Sequence, residues 1–216
     1  MIERATGLVL RTRPLTETSL IVLWLTTEYG RIATVAKGAR RSKSPFRGKI
    51  DLFYLADFSF NRSRKSELHT LSEVSLRETN EALRRDYDYL SQASYCAALI
   101  EQTTETETEL PGLLELMTGM IGYLLSQPAG PMAVLAFELK LLAALGLSPS
   151  PEEGKLTPGA RRLIEWLQQN DWDGIARLKA TWPQVTELRQ FLHGFLIFHL
   201  GRIPKGRGRC FGEADG

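Results

Sequence analysis

The sequence predicts an α+β protein: a five-stranded barrel at the amino end, followed by an all-helical domain. Three features carry that expectation. Residues 1–76 break into five apolar or alternating runs separated by Gly-, Ser- and Arg-containing turns. After Thr79 the apolar spacing changes to the three- and four-residue step of a helix. The charge changes sign at the same place: residues 1–80 hold 14 Lys/Arg against 8 Asp/Glu, a net +6, and residues 81–201 hold 9 against 15, a net −6. A basic front on an acidic back points to two domains with different partners, 1–79 and 80–216.

The strands follow in order. Thr6–Arg13 alternates, with Leu8 and Leu10 on one face and Arg11 and Arg13 on the other. Thr18–Thr26 is apolar on both faces and is expected to be central. Thr27-Glu28-Tyr29-Gly30 fits a hairpin into the third strand, Arg31–Lys37. Ile50–Phe60, heavy in Phe and Tyr, is the fourth strand. A basic turn, Asn61–Ser66, leads to the fifth, Glu67–Leu76. Closure is the usual way such a chain disposes of its sheet edges, and an OB-fold is the leading candidate.

Helical grammar then takes over. Asn80–Glu107 reads as one or two helices, with Tyr87, Leu90, Ser94, Ala97 and Ala98 as the buried stripe. Leu110–Leu125 is the next. Gly130-Pro131 opens a helix that runs to Leu145 and stops at Gly146. Ser148–Gly154 is a connector. Thr157-Pro158 caps and starts another helix, a short one follows Asp171, and Pro183 opens the last, to His199. The Gly/Arg-rich residues from Gly201 onward are expected to be a disordered basic tail.

Between the third and fourth strands lies the densest charge in the chain. Lys37–Lys49 holds six basic residues in thirteen and no acidic one: Lys37, Arg40, Arg41, Lys43, Arg47 and Lys49. Gly, Ser and Pro make it a mobile loop. Such a loop suits a polyanion, because each cation that neutralises a phosphate releases a condensed counterion. With Arg11 and Arg13 on one strand face, Arg31 at the start of the third strand, and Arg62, Arg64 and Lys65 in the second basic turn, several of these cations are expected to converge on one groove if the barrel closes. Phe46, an aromatic inside the loop, is a candidate for stacking on bases, with a place in the core as the other reading. For Trp24 and Tyr54 the core reading is the stronger.

Catalytic constellations are few. No phosphate loop, dinucleotide fingerprint, nucleophile elbow or zincin His pair occurs. His193 and His199 are six apart and fall on different helix faces, and His69 sits in a strand. The Glu-rich run Glu101–Glu109 reads as a solvated helix end before it reads as a metal site. Two cysteines, Cys96 and Cys210, make neither a disulfide framework nor a four-ligand zinc site. They fit a reducing, cytoplasmic location, and no apolar segment is long and uncharged enough to span a bilayer. No cofactor is expected.

Several stretches together carry a resemblance. Thr6-Gly7-Leu8-Val9-Leu10-Arg11, Glu17-Thr18, Leu25-Thr26, Tyr29-Gly30-Arg31-Ile32 and Val35-Ala36-Lys37-Gly38-Ala39-Arg40-Arg41 closely resemble the start of the RecO family of bacterial DNA-repair and recombination mediators. The likeness continues in Leu142–Leu147, Phe191-Leu192 and His199-Leu200-Gly201-Arg202. It implies an amino-terminal OB-fold and a carboxy-terminal helical domain. It also implies a cytoplasmic, nucleoid-associated protein that binds single- and double-stranded DNA and anneals complementary strands. The implied partners are RecR and the acidic tail of the single-stranded-DNA-binding protein, with RecA loading as the outcome. By position, Lys37, Arg40 and Arg41 correspond to the family's DNA-contacting loop, with Arg11 and Arg31 in matching segments. Many members carry a four-cysteine zinc-finger-like insertion after Leu-Gly-Leu. Here Ser148-Pro149-Ser150-Pro151 passes to Thr157 without a Cys, so no zinc is expected.

Three functions follow for testing. A DNA-binding mediator without turnover needs positive charge to suppress repulsion between strands. A metal-dependent nuclease would use Glu105 and Glu109. A pure adaptor would work through the helical half, where Arg161, Arg162, Arg177 or Lys179 could receive an acidic tail.

Overall fold

The computed structural model describes residues 2–150 and 156–212. It resolves into two compact units. One is Met1–Glu81 with Thr104–Leu114; the other is Ala82–Thr103 with Glu115–Gly216. The segment Thr104–Leu114, expected with the helical half, therefore belongs with the strands.

The first unit is a closed barrel of β1 (Ile2–Pro14), β2 (Leu20–Thr26), β3 (Gly30–Ala36), β4 (Leu55–Asn61) and β5 (Leu68–Glu78). The strands run around it in the order β1-β2-β3-β5-β4. β1 is long enough to pair antiparallel with both β2 and β4, and β3 meets β5 in parallel, which closes the ring. This five-stranded closure is the OB arrangement. The stripe lining the barrel on β1 is Ala5 and Val9, not Leu8 and Leu10; the latter are also buried, on the alternate face. A register shift between Val9 and Arg11 interrupts the alternation that the sequence suggested. Inside, Trp24 stacks on Phe58 with centroids 4.2 Å apart, and its indole N–H donates to Thr34 Oγ1 at 2.9 Å. The core reading of Trp24 and Tyr54 is the one that holds. β4 starts at Leu55 rather than Ile50, because Asp51–Tyr54 form a turn in which the Tyr54 N–H donates to Asp51 O at 3.1 Å.

The second unit follows a 3-10 turn, Glu81–Arg85. Its helices are α1 (Tyr87–Thr103), α2 (Leu113–Ser126), α3 (Pro131–Ala144), α4 (Pro158–Gln169), α5 (Trp172–Ala176) and α6 (Trp182–Leu200). α3 is buried on nearly every side, from Ala133 to Leu142. α4 buries Ala160, Leu163, Ile164 and Leu167, the spacing of one helical stripe. The start signals act as their chemistry requires. Thr157 Oγ1 accepts from the Ala160 N–H at 3.3 Å, with Pro158 in the first turn. The Gln184 side chain accepts from the Thr181 N–H at 2.8 Å at the head of α6.

Two expectations need correction here. In α1 the buried set is Gln92, Ala93, Tyr95, Cys96, Ala97, Leu99 and Ile100, whereas Tyr87 and Ser94 are exposed. The residues from Gly201 onward are not a disordered tail as far as Gly212. They fold back on the helices, with Arg207 and Cys210 buried and a 3-10 turn at Arg209–Phe211. The connector Ser148–Gly154 lies in part outside the described residues. Among the described residues no helix is long and apolar enough to cross a membrane.

Candidate nucleic-acid interface

The β3–β4 loop is built as consecutive turns. Arg41 N–H donates to Gly38 O at 3.0 Å, Ser44 N–H to Arg41 O at 3.1 Å, Arg47 N–H to Ser44 O at 3.2 Å and Lys49 N–H to Phe46 O at 3.0 Å. Gly38 takes the positive φ of 68° that the first of these turns demands. Two bonds tie the loop to the β1–β2 connection: Arg40 N–H to Thr18 O at 2.9 Å and Gly38 N–H to Ser19 Oγ at 3.3 Å. The loop is thus pinned, where the sequence suggested a mobile one.

Phe46 is the chief anchor. It is 7% exposed and packs in the barrel core with Trp24, Phe58 and Val74. A ring so buried favours the core reading, in which it holds the loop. Around it Lys37, Arg40, Arg41, Lys43, Arg47 and Lys49 are all exposed. Backbone turns and one buried ring therefore fix the loop while its cationic heads stay in solvent. Behind it, a groove of about 590 Å³ is lined by Pro45, Phe46 and Lys49 with Arg4, Asp57 and Ser59. Arg4, near the start of β1 and apart from Arg11 and Arg13, carried no sequence signal. Asp57 is held below the usual carboxylate range by the Thr6 hydroxyl and then by Arg77.

The strand cations divide between the barrel's ends instead of converging. Arg11 is exposed and lies opposite Leu23, and Arg13 opposite Ile21; Leu20, the next on β2 towards its start, meets Ala36 beside the loop. Arg31 stands at the other end of β3. Seven strand residues span roughly 20 Å. Its guanidinium donates to the Thr104 hydroxyl at 2.6 Å and to the Thr104 carbonyl. The β4–β5 turn with Arg62, Arg64 and Lys65 also lies towards that end, since Leu68 pairs with Ala33. Arg62 is engaged by Glu107 and stands 3.5 Å from Glu3.

The Glu-rich run does not gather as a metal site. Glu107 is turned to Arg62 and His69, and among the described residues no group of three or more His, Cys, Asp or Glu could hold a metal. The donors do not fit a four-cysteine zinc site either: the chain has two Cys, and both are buried within the helical unit.

Comparison with known proteins agrees across both units. Residues 1–80 match the family described as Recombination protein O N terminal, and residues 84–153 and 148–208 match Recombination protein O C terminal. A protein named DNA repair protein RecO from Anaeromyxobacter dehalogenans is 34% identical over 233 positions, covering 92% of this chain and 92% of its own. One of the same name from Alkaliphilus metalliredigens is 28% identical over 238 positions, covering 94% of this chain and 96% of its own. With matches that run through barrel and helices in the same order, the chain belongs to the recombination protein O family.

Proposed function

We propose that this protein is a DNA-binding mediator of recombinational repair, acting by binding rather than turnover. It holds single- and double-stranded DNA through Lys37, Arg40, Arg41, Lys43, Arg47 and Lys49, with Arg11 in support, and lets complementary strands anneal. With RecR, and on DNA coated by the single-stranded-DNA-binding protein, it helps load RecA in the bacterial cytoplasm. The observation that carries this reading is the pinned loop itself: six exposed cations, no acidic residue, and a buried anchor that leaves their heads free of the core. The naming of its relatives as DNA repair proteins supports the same direction.

The helical unit supports the partner side of the reading. Between α6 and the returning carboxy-terminal segment lies a cleft of about 750 Å³, lined by Arg189, Arg202, His193, Ile197, Ile203 and Phe211 among others, with no acidic residue in its lining. Cations beside apolar surface suit an acidic tail with an apolar end. This cleft is a better candidate than Arg161, Arg162, Arg177 or Lys179, which belong to α4 and the stretch after α5.

Salt dependence tests the DNA contact. If about four to six phosphates are neutralised, log affinity for single strands falls with log salt at a slope near −3 to −4. An affinity indifferent to salt would rule out the loop as the contact surface.

A further inference from the structure

The acidic segment Thr104–Leu114 is laid on the barrel at the end opposite the basic loop. Its backbone adds to β3: Arg31 bridges Thr106 in parallel, and the Glu107 N–H donates to Arg31 O at 2.8 Å. Gly30 permits this. Its φ is +61°, and a Cβ there would lie 1.9 Å from the Thr108 carbonyl oxygen. Glu107 itself has φ 56°, a left-handed conformation uncommon for Glu. That conformation belongs to the residue whose carboxylate reaches the β4–β5 turn.

There it meets two groups. One is the Arg62 guanidinium, whose charge it reinforces. The other is His69, 1% exposed, whose Nε2 stands 3.1 Å from Glu107 Oε1. Ser63 N–H donates to His69 Nδ1 at 3.3 Å, while the buried Nε2 makes no hydrogen bond among the described residues. Beside Arg62 in the same turn, Arg64 and Lys65 are exposed. In OB barrels this turn is one of the two loops that commonly meet oligonucleotides.

We propose that the β4–β5 turn is a second nucleic-acid phosphate site, centred on Arg62 and flanked by Arg64 and Lys65, which Glu107 keeps closed until a strand displaces it. The proposal rests on the DNA-binding reading above and adds to it. A phosphate offers a guanidinium the same paired oxygen acceptors as a carboxylate, so the exchange conserves Arg62's bonding. The pair to be broken is weakly held, because its side chains are 41% and 24% exposed and screened by solvent. The release is an exchange of ion pairs and needs no other reactant. It gives the barrel two phosphate contacts on separate ends of β3, of which only the loop is open in the free protein.

The test is binding of the full-length protein to oligodeoxythymidine across a salt series, with variants E107Q, E105Q and E107Q/R62A. Glu105 is exposed and carries the same charge, so E105Q measures the long-range effect of losing one acid. E107Q is expected to bind tighter than E105Q. In the E107Q background, R62A is expected to return affinity to the E105Q level or below and to reduce the salt slope by about 0.7, one single-strand phosphate. Equal gains in E107Q and E105Q, or a gain that survives R62A, would overturn the proposal. Should E107Q fold poorly, R62A in the otherwise unaltered protein serves: it is expected to weaken binding and to reduce the salt slope by about 0.7, and an unchanged affinity and slope would overturn the idea. A K37A/R40A/R41A variant run alongside separates the two claims, since retained affinity there refutes the loop while leaving the Arg62 comparison readable.

Discussion

Glu138 is a fully buried carboxylate, at 0% exposure, in the middle of α3. Burial of a charge is costly unless it is paired and hydrogen-bonded. Arg207 does both, donating from Nε to Oε1 at 2.7 Å and from Nη2 to Oε2 at 2.8 Å, while the Tyr95 hydroxyl donates to Oε1 at 2.6 Å. Burial opposes the Arg207 charge, but hydrogen bonds to Glu138 and its charge outweigh that and raise the guanidinium's pKa. The same burial, with Glu138 nearby, pushes the Cys210 thiol up to about 12. The folded value lies above the ordinary thiol value of about 8.5, so this burial favours folding below that pH and its contribution is lost as pH rises towards the folded value. R207A strands the carboxylate and is expected to cost roughly 3–5 kcal/mol in thermal or denaturant unfolding. A thiol reagent at neutral pH is expected to label neither Cys in the native protein and, in R207A, to label Cys210 before the α1 residue Cys96. Equal labelling of both in step with global unfolding would show that the segment is not separately latched.

At the scale of elements, the basic loop and the barrel core share one side chain. F46A is expected to cost about 3–5 kcal/mol of barrel stability, as for other buried aromatics, and to weaken DNA binding by unseating the loop. F46L, which keeps an apolar anchor, is expected to retain most of both in the same unfolding and binding measurements. A stacking ring gives the reverse pattern: a stable F46A protein, and F46L as weak as F46A. The sequence could not settle this. An aromatic among cations looks the same whether it turns inward or out, and the choice is made by the barrel core that Trp24, Phe58 and Val74 form with it. The helix starts at Thr157-Pro158 and near Pro183 were legible because capping and first-turn Pro are local chemistry. The buried face of α1 was misread because its buried residues cover a wide arc, so no single stripe marks it.

Across the whole molecule, the order of five strands and then helices was readable because each element declares its period and its turns. What escaped the sequence depends on partners far apart in the chain. Arg207 looks like part of a Gly/Arg tail until Glu138, 69 residues earlier, gives it a reason to be buried. Thr104–Leu114 looks like the punctuation between two helices until Gly30 and Arg31 receive it at the barrel. The cations were found as residues but not as an arrangement, since only the pairing of Leu68 with Ala33 shows that the turn carrying Arg62, Arg64 and Lys65 lies at the Arg31 end of β3 and not at the Lys37 end. The most direct measurement is strand annealing by K37A/R40A/R41A beside the unaltered protein, with circular dichroism confirming that both are folded. A steep fall in annealing rate and in single-strand affinity is expected. Annealing at the original rate by a folded triple variant would contradict the DNA-binding role assigned to the loop.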